Sequence, residues 1–407
     1  MKNLTQFKIE LIEMARTTPT ADNTQPWKFL WEDRDSSQDL VLHVYHDSNA
    51  AKHDLNSGWN ASFFSLGFLI ETLSISAAEF GFNCETLGTI SNRDLVRDND
   101  LSLFATLKFA KQTPAKAFAQ KDPLFHQLKK RQTNRFAYQP CELDYQVFQT
   151  MNSDKNSVSI DKDLDKDTAS NTAQIHWTKN FNSNLAQYVA KTEGLLWDHL
   201  KLIKETMSWV RFNSKELQST HTGLNLKGLG FNAIELIFIP LLRNNSVLKL
   251  MAPFISKIVL PQAIRKLFKS SAMVGCVTVP DNNIASLVQA GRLTMRKWLK
   301  LTEYGYSIHP YTIGSLNIYN TKNKILSAVF GQKESSLFLQ GLQLMQKTFQ
   351  FSTEATPVFL FRAGKAKQLA ESQQTKRKSA ADMILTEQVS TPKNTNSDYQ
   401  HNWHEVQ

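Results

Sequence analysis

Cysteine is scarce. Cys84, Cys141 and Cys276 are the three in the chain; they lie far apart and form no C-x-x-C pair. That spacing argues against a disulfide framework or a structural zinc site and for a reducing compartment. The chain also lacks G-x-S-x-G, H-E-x-x-H and the P-loop, and the glycines of GLNLKGLGF neither follow a strand nor match G-x-G-x-x-G. The common hydrolase, zinc-protease and nucleotide fingerprints are therefore missing. His43, His46 and His53 suggest a metal cluster, but the first two fall on opposite faces of one strand and no acidic ligand spacing completes a site. Uninterrupted apolar runs are equally lacking. The N-terminal MKNLTQFKIELIEMA mixes charges through its apolar positions, unlike a signal peptide, so a cytoplasmic location is expected. The most apolar stretch, 228–262, is interrupted by Pro240, Arg243, Pro253 and Lys257. It is expected to be a covering lid with no transmembrane segment, peripheral membrane contact being left open.

What remains is ordinary globular material: 407 residues, 41% hydrophobic and 10% aromatic, enough for two or three domains. The formal charge of +10 is scattered, with Lys129-Lys130-Arg131 and Lys376-Arg377-Lys378 as the short clusters. A basic balance is compatible with nucleic acid, an anionic membrane or an anionic small molecule such as a phosphate, and its scattering makes nucleic acid the minority reading.

Periodicity predicts an opening amphipathic helix, strands at 27–31 and 39–47 joined by a charged hairpin, a buried helix over 57–80 and a strand at 101–110. The segment 111–123 reads as a linker and 152–173 as a loop. The second unit begins after the linker with a short helix and RQTNRFAYQP; past the 152–173 loop it continues with a strand at 174–177, one helix over 185–207, a strand at 273–279, a helix at 284–305, a short strand leading into His309-Pro310-Tyr311-Thr312, and a strand at 357–361. The polar tail is expected to be disordered.

Four stretches carry candidate chemistry. In PTADNTQPW (Pro19–Trp27), Thr20, Asn23 and Gln25 supply hydroxyl and amide groups, and Trp27 anchors the loop; a well-made helix-to-strand turn is the alternative. In RQTNR, an extended backbone points Arg131, Thr133 and Arg135 the same way, two guanidiniums and a hydroxyl able to cradle a phosphate, unless the loop is simply solvated. Arg362 follows an apolar strand and either faces a site or pairs with a carboxylate. Near 309–312, Pro310 stiffens a turn that lets neighbouring amides meet a planar ligand. Arg377-Lys378 on its own is a surface charge run.

Together these motifs resemble those of the FMN-dependent nitroreductase superfamily. PTADNTQPW resembles its P-S-x-x-N-x-Q-P-W turn with Thr20 for Ser, RQTNR its R-x-S-x-[KR] motif, Gly305–Thr312 its flavin-edge turn, and Arg377-Lys378 its C-terminal basic residues. The arginine motif here follows the Pro-Thr turn by about a hundred residues, an order similar to the Acg-type fused pseudo-dimer branch. The resemblance implies an α+β, nitroreductase-like fold with two half-domains in one chain, each an antiparallel-rich sheet packed by helices. The expected bounds are 1–115, 116–389 with the lid at 228–262, and a tail at 390–407. It implies one FMN per chain held by Pro19, Thr20, Ala21, Asn23, Gln25, Arg131, Thr133, Arg135, Pro310, Tyr311, Thr312, Arg362, Arg377 and Lys378. Arg131 and Arg377 are expected at the phosphate and Arg135 at the flavin N1–C2=O edge. NAD(P)H would reduce the flavin, which would pass electrons to a nitro compound, quinone or similar small acceptor. A flavin-sequestering protein with little turnover is the alternative, and a flavin-free protein working at a membrane is a third reading. The chain departs from the family in having Tyr311-Thr312-Ile313 where relatives carry an acid after the late Pro, and Thr222-Gly223-Leu224 in place of Asp-Gly-Leu.

Overall fold

Ten strands form two four-stranded sheets and one short ribbon in the computed structural model, which describes residues 4–32, 39–113, 121–140, 144–153, 172–179, 181–327 and 329–385. The first half opens with α1 (Leu4–Ala15), then β1 (Trp27–Glu32), β2 (Asp39–Asp47), α2 (Asn60–Glu79), β3 (Phe82–Thr89) and β4 (Leu101–Lys111). The second contains β5 (Gln174–Thr178), α3 (Ser183–Asp198), α4 (Leu200–Ser208) and the two-residue strands β6 (Val210–Arg211) and β7 (Leu224–Asn225). It continues with α5 (Asn245–Phe254), α6 (Leu260–Lys269), β8 (Met273–Val279), α7 (Ile284–Glu303), β9 (Tyr306–Pro310), α8 (Thr312–Lys322), α9 (Gln332–Phe349) and β10 (Thr356–Lys365).

The two halves repeat one plan. The first sheet runs β1-β2-β4-β3 and the second β5-β8-β10-β9, so each has its four strands in the order first, second, fourth, third. Every pairing in both is antiparallel. In each half a 20-residue helix, α2 or α7, joins the second strand to the third. The chain is thus α+β, with two half-domains that are each an antiparallel sheet packed by helices.

The two long helices are also where the halves meet. α2 is apolar on nearly every side and almost wholly buried, as a helix enclosed between layers must be. Three of its hydroxyls are satisfied within the helix: Ser65, Thr72 and Ser76 donate to the carbonyls of Ala61, Phe68 and Thr72 at 2.7, 2.8 and 2.7 Å. The eighth residue of each helix is a glycine, and the contact is reciprocal. A Cβ on Gly67 would lie 2.0 Å from the Val288 carbonyl oxygen, and one on Gly291 would lie 2.0 Å from that of Phe64. Each oxygen belongs to the residue three before the opposing glycine, the signature of a two-fold-like crossing. Beside it, Glu71, 1% exposed, is neutralised by Arg292 Nε at 3.0 Å and Arg296 Nε at 2.6 Å, and Arg296 also holds Asp122 at 2.7 Å. A carboxylate this deep persists only because two guanidiniums meet it.

Several expectations need correction. The helix expected over 185–207 breaks at His199 (φ −109, ψ 97), giving α3 and α4. β10 extends to Lys365 because buried Arg362 finds carbonyl partners that the sequence does not reveal. The polar edge strand β3 and helices α8 and α9 were not expected from periodicity. The interruption expected within 228–262 holds at Pro240 and Arg243, where a short turn ends before Asn244 caps a new helix, and fails further on. Pro253 sits inside α5 and Lys257 on the exposed side of a π-turn, so Asn245–Lys269 is one helical run of 25 residues. By length and composition it and Ser57–Glu79 could cross a membrane; the apolar window of the latter is 83% buried in the protein, that of the former 22%. The charged hairpin, most of the 111–123 linker and 152–173 loop, Cys141 and the 390–407 tail lie outside the described residues.

Candidate functional site

Two cavities meet between the half-domains. The larger, about 670 Å³, and its neighbour, about 340 Å³, share Pro19, Thr20, Thr133, Arg135 and Leu224 in their walls. Pro19 and Thr20 come from the first half and Thr133 and Arg135 from the second, so neither half builds the site alone.

The PTADNTQPW turn is set by its backbone. Asp22, Asn23 and Gln25 all have positive φ (47, 54 and 49°), a left-handed run tolerated mainly by short polar residues or glycine. The amides stabilise it. Gln25 N–H donates to Thr20 Oγ1 at 3.1 Å, and Gln25 Nε2 donates to the His221 carbonyl at 2.9 Å. Asn23 Nδ2 donates to the carbonyls of Gly223 and Lys376 at 3.0 and 2.9 Å. Trp27, 1% exposed, anchors the exit strand. Asn23 lines the larger cavity and Ala21 the smaller. Gln25 lines neither; it is a clip that fastens the turn to segments near 221 and 378.

The arginine motif is extended along the edge of the second sheet, where Thr133 bridges Ile308 and Asn134 N–H donates to the Ile308 carbonyl at 3.1 Å. Asn134 turns into the protein, its Nδ2 donating to the Lys367 carbonyl at 3.0 Å, while Arg131, Thr133 and Arg135 line the larger cavity. Arg131 Nη2 donates to the Thr17 carbonyl at 2.8 Å, and its guanidinium lies 4.5 Å from the Trp298 ring centre. Arg377 Nη1 donates to the adjacent Thr18 carbonyl at 2.7 Å. Two guanidiniums are therefore tethered to neighbouring carbonyls with no carboxylate partner among the described residues. Burial, then the charge of Arg377, pushes the Arg131 pKa down to about 9; burial, then Arg16, pushes that of Arg377 down to about 10. Arg131 Nε is buried with no partner among the described residues. Lys129, Lys130 and Lys376 add positive charge to the same walls. Such an arrangement suits a phosphate.

The smaller cavity has a different character. Phe64 and Phe359, stacked at 4.9 Å, line it with Phe68 and Trp298. On its polar side, Pro310 and Thr312 bring in the start of α8, where free backbone N–H groups favour a negatively polarised atom. Tyr311 lines neither cavity; its N–H donates to the Leu360 carbonyl at 2.7 Å, and burial raises its hydroxyl pKa to about 12. Arg362 is also set back. Fully buried, it donates through Nη2 to the carbonyls of Arg135 and Phe136 at 3.0 and 2.7 Å and lies 4.1 Å from the Tyr138 ring centre. It positions the Arg135 backbone from behind. Lys378 likewise serves as a strut, its N–H donating to Gln25 Oε1 and its Nζ to the Gln25 carbonyl, both at 3.0 Å.

Among the polar residues of the smaller cavity that the sequence did not place at this site are Asp22, His53, which there suggested only an incomplete metal cluster, and Glu193. His53 Nδ1 accepts the Leu55 N–H at 3.0 Å and lies 3.5 Å from Glu205 Oε2, while its Nε2 is buried with no partner among the described residues. Burial raises the Asp22 pKa against the attraction of His53 and Arg135. Burial, then Asp22, raises that of Glu193 to about 8. Glu193 could have been noticed, because it falls between Val189 and Leu196 on an otherwise apolar helical stripe. Of the stretch expected to form the lid, only Gly228 reaches these walls; His221, Leu224 and Asn225, just before it, supply the rest of that side.

The fold and the site together define an α+β chain with a cation-lined pocket opening onto an aromatic-floored cleft. No family model matches the sequence, and no curated protein matches it. Among solved structures, the chain is similar to a candidate nitroreductase from Anabaena variabilis, at 10% identity over 81% of this chain and 69% of that one, with a TM-score of 0.41. It is also similar to the FMN-dependent nitroreductase NfnB from Mycobacterium smegmatis in complex with NADPH, at 12% identity over 64% and 96% of the two chains and a TM-score of 0.33. A BluB-like flavoprotein from Clostridium difficile matches at 10% identity over 65% and 99%, with a TM-score of 0.32.

Proposed function

We propose that the chain binds one FMN between its half-domains and acts as an oxidoreductase that takes reducing equivalents from NAD(P)H to a small electron acceptor such as a nitro compound or quinone. The observation that carries this reading is the pair Arg131 and Arg377, drawn from distant segments, tethered side by side and lacking a carboxylate partner among the described residues. Bound there, FMN would supply the redox chemistry. Arg131 and Arg377 hold its phosphate, and Thr133 with Thr20 lies between the two cavities. Arg135, kept in place by Arg362, offers positive charge at the ring, which favours the reduced form. Pro310 and Thr312 would border the ring edge, and Phe64 and Phe359 would keep water out of the cleft that receives it. The repeated strand order and the reciprocal Gly67–Gly291 contact support reading the chain as a fused pseudo-dimer of the Acg-type branch. The single arginine motif supports one cofactor per chain.

The alternative, a flavin-sequestering protein with little turnover, is favoured by the size of the smaller cavity. At about 340 Å³ it lies near the lower end of small-molecule pockets, closer to room for one ring system than for two stacked. Purified protein is expected to be yellow with FMN absorbance, and Arg131→Ala with Arg135→Ala is expected to be colourless. A doubly substituted protein that stays yellow refutes the placement. Anaerobic mixing with NADH and NADPH separates the readings: rapid bleaching supports the reductase, and a flavin that stays oxidised with both supports sequestration.

A further inference from the structure

The helical segment that follows the site has an outer face the protein leaves uncovered. In α5 and the turn after it, Leu248, Ala252 and Ser256 are buried, and Ser256 Oγ donates to Asp198 Oδ1 at 2.8 Å. Residues two positions further on face the other way, since two helical steps turn through about 200°. They are Leu250, Phe254 and Ile258, exposed by 77, 47 and 48%. The short helix Ala233–Phe238 and the turn after it add Ile234, Ile237, Phe238 and Leu241, each more than half exposed. Both pieces are fastened by one small buried cluster around Leu242, Leu248 and Ile203, so the exposed side chains belong to one body. Solvent-exposed apolar side chains concentrated this way mark an interaction surface.

Charge selects the occupant. Between residues 231 and 270 there are six basic residues and one acidic, Glu235. Lys249, Lys257, Arg265, Lys266 and Lys269 are all exposed, with Lys249 and Lys257 flanking the Leu250–Ile258 ridge. A second copy of the chain docked face to face would set these cations against themselves. An anionic lipid surface answers both features: apolar side chains enter the acyl boundary while lysine ammonium groups stay at the headgroups. We propose that residues 233–269 form a peripheral docking surface for an anionic membrane, with the buried face keeping the segment on the protein and so ruling out a span. This proposal does not depend on the flavin reading.

The test is co-sedimentation of the full chain with vesicles of roughly three parts phosphatidylcholine to one of phosphatidylserine, against phosphatidylcholine alone. The bound fraction is expected to be at least about tenfold higher on the anionic vesicles and to fall about tenfold near 0.5 M salt. Leu250→Glu with Phe254→Glu is expected to lose binding at least about tenfold, as is Lys249→Glu with Lys257→Glu. Helical circular dichroism reports folding; should the apolar pair disturb it, the exposed lysine pair decides. Equal binding to both vesicles, no binding, or binding indifferent to the lysine pair overturns the proposal. So does a dimer seen by light scattering that Leu250→Glu with Phe254→Glu converts to monomer, which assigns the face to a second copy.

Discussion

Replacing Gly67 with alanine tests how the half-domains are joined. In a helix interior that change ordinarily stabilises by about 1 kcal/mol, because alanine loses less backbone entropy. Here the new methyl would sit 2.0 Å from the Val288 carbonyl oxygen, 2.7 Å from Arg292 N and 2.8 Å from Gly291 Cα. All three atoms are backbone, so no side chain can swing aside; α2 and α7 must separate. Restoring a contact of about 3.5 Å requires a shift on the order of 1.5 Å, enough to forfeit much of the dispersion energy along the crossing. Overpacking costs about 1–3 kcal/mol and sometimes more. A backbone-on-backbone clash belongs at the upper end, leaving a net loss of about 2 kcal/mol or more after the propensity gain. Gly291→Ala is expected to behave alike, its methyl 2.0 Å from the Phe64 oxygen. The double variant is expected to cost less than the sum, because one separation relieves both clashes. Gly194→Ala is the control: it lies in α3 with nothing nearer than 3.7 Å and is expected to be neutral or stabilising. Urea denaturation followed by circular dichroism measures all four. A Gly67→Ala protein as stable as the parent would refute the crossing.

Two pH dependences follow from the site. The Glu193 pKa is raised from 4.5 to about 8, so the folded state holds its proton more tightly than the unfolded chain; its stabilising contribution is complete below pH 4.5 and is lost as pH rises toward 8. Glu193→Gln is expected to flatten the decline in stability between those limits, by at most about 1.4 kcal/mol per pH unit, and an unchanged slope in denaturation curves across that window contradicts the assignment. The arginine pair should weaken anion binding in alkali, since Arg131 begins to lose its proton near pH 9 and Arg377 near pH 10. Titration with sulfate, whose charge is constant over this range, is expected to give a dissociation constant that is flat at neutral pH and rises above about pH 9; affinity independent of pH up to 10 would contradict the lowered guanidinium pKa values.

Much of the molecule was legible locally. The alternating apolar residues of β2, the continuous apolar surface of α2 and the β-branched run of β8 each state their own environment, and those elements fall where periodicity puts them. β3 was not legible, because an edge strand such as FNCETLGT needs few apolar residues, its pairing being supplied by β4. The division at His199 was equally hidden: no proline or glycine marks it, and the bend accompanies the docking of Asp198 on Ser256. In the site, the turn and the arginine motif stood out by residue type. Which members face a ligand did not.

The sequence by itself determined the antiparallel strands, the buried helices, the polar turn and the cationic motif, because each depends on neighbours within a few residues. Only the tertiary structure decided that Gln25, Arg362 and Lys378 are struts, that Arg131 and Arg377 stand side by side, and that Asp22, His53 and Glu193 share a cleft. Those relations join residues separated by up to several hundred positions, and both cavities of the site are walled by residues of the two half-domains, which pack together through Gly67 and Gly291.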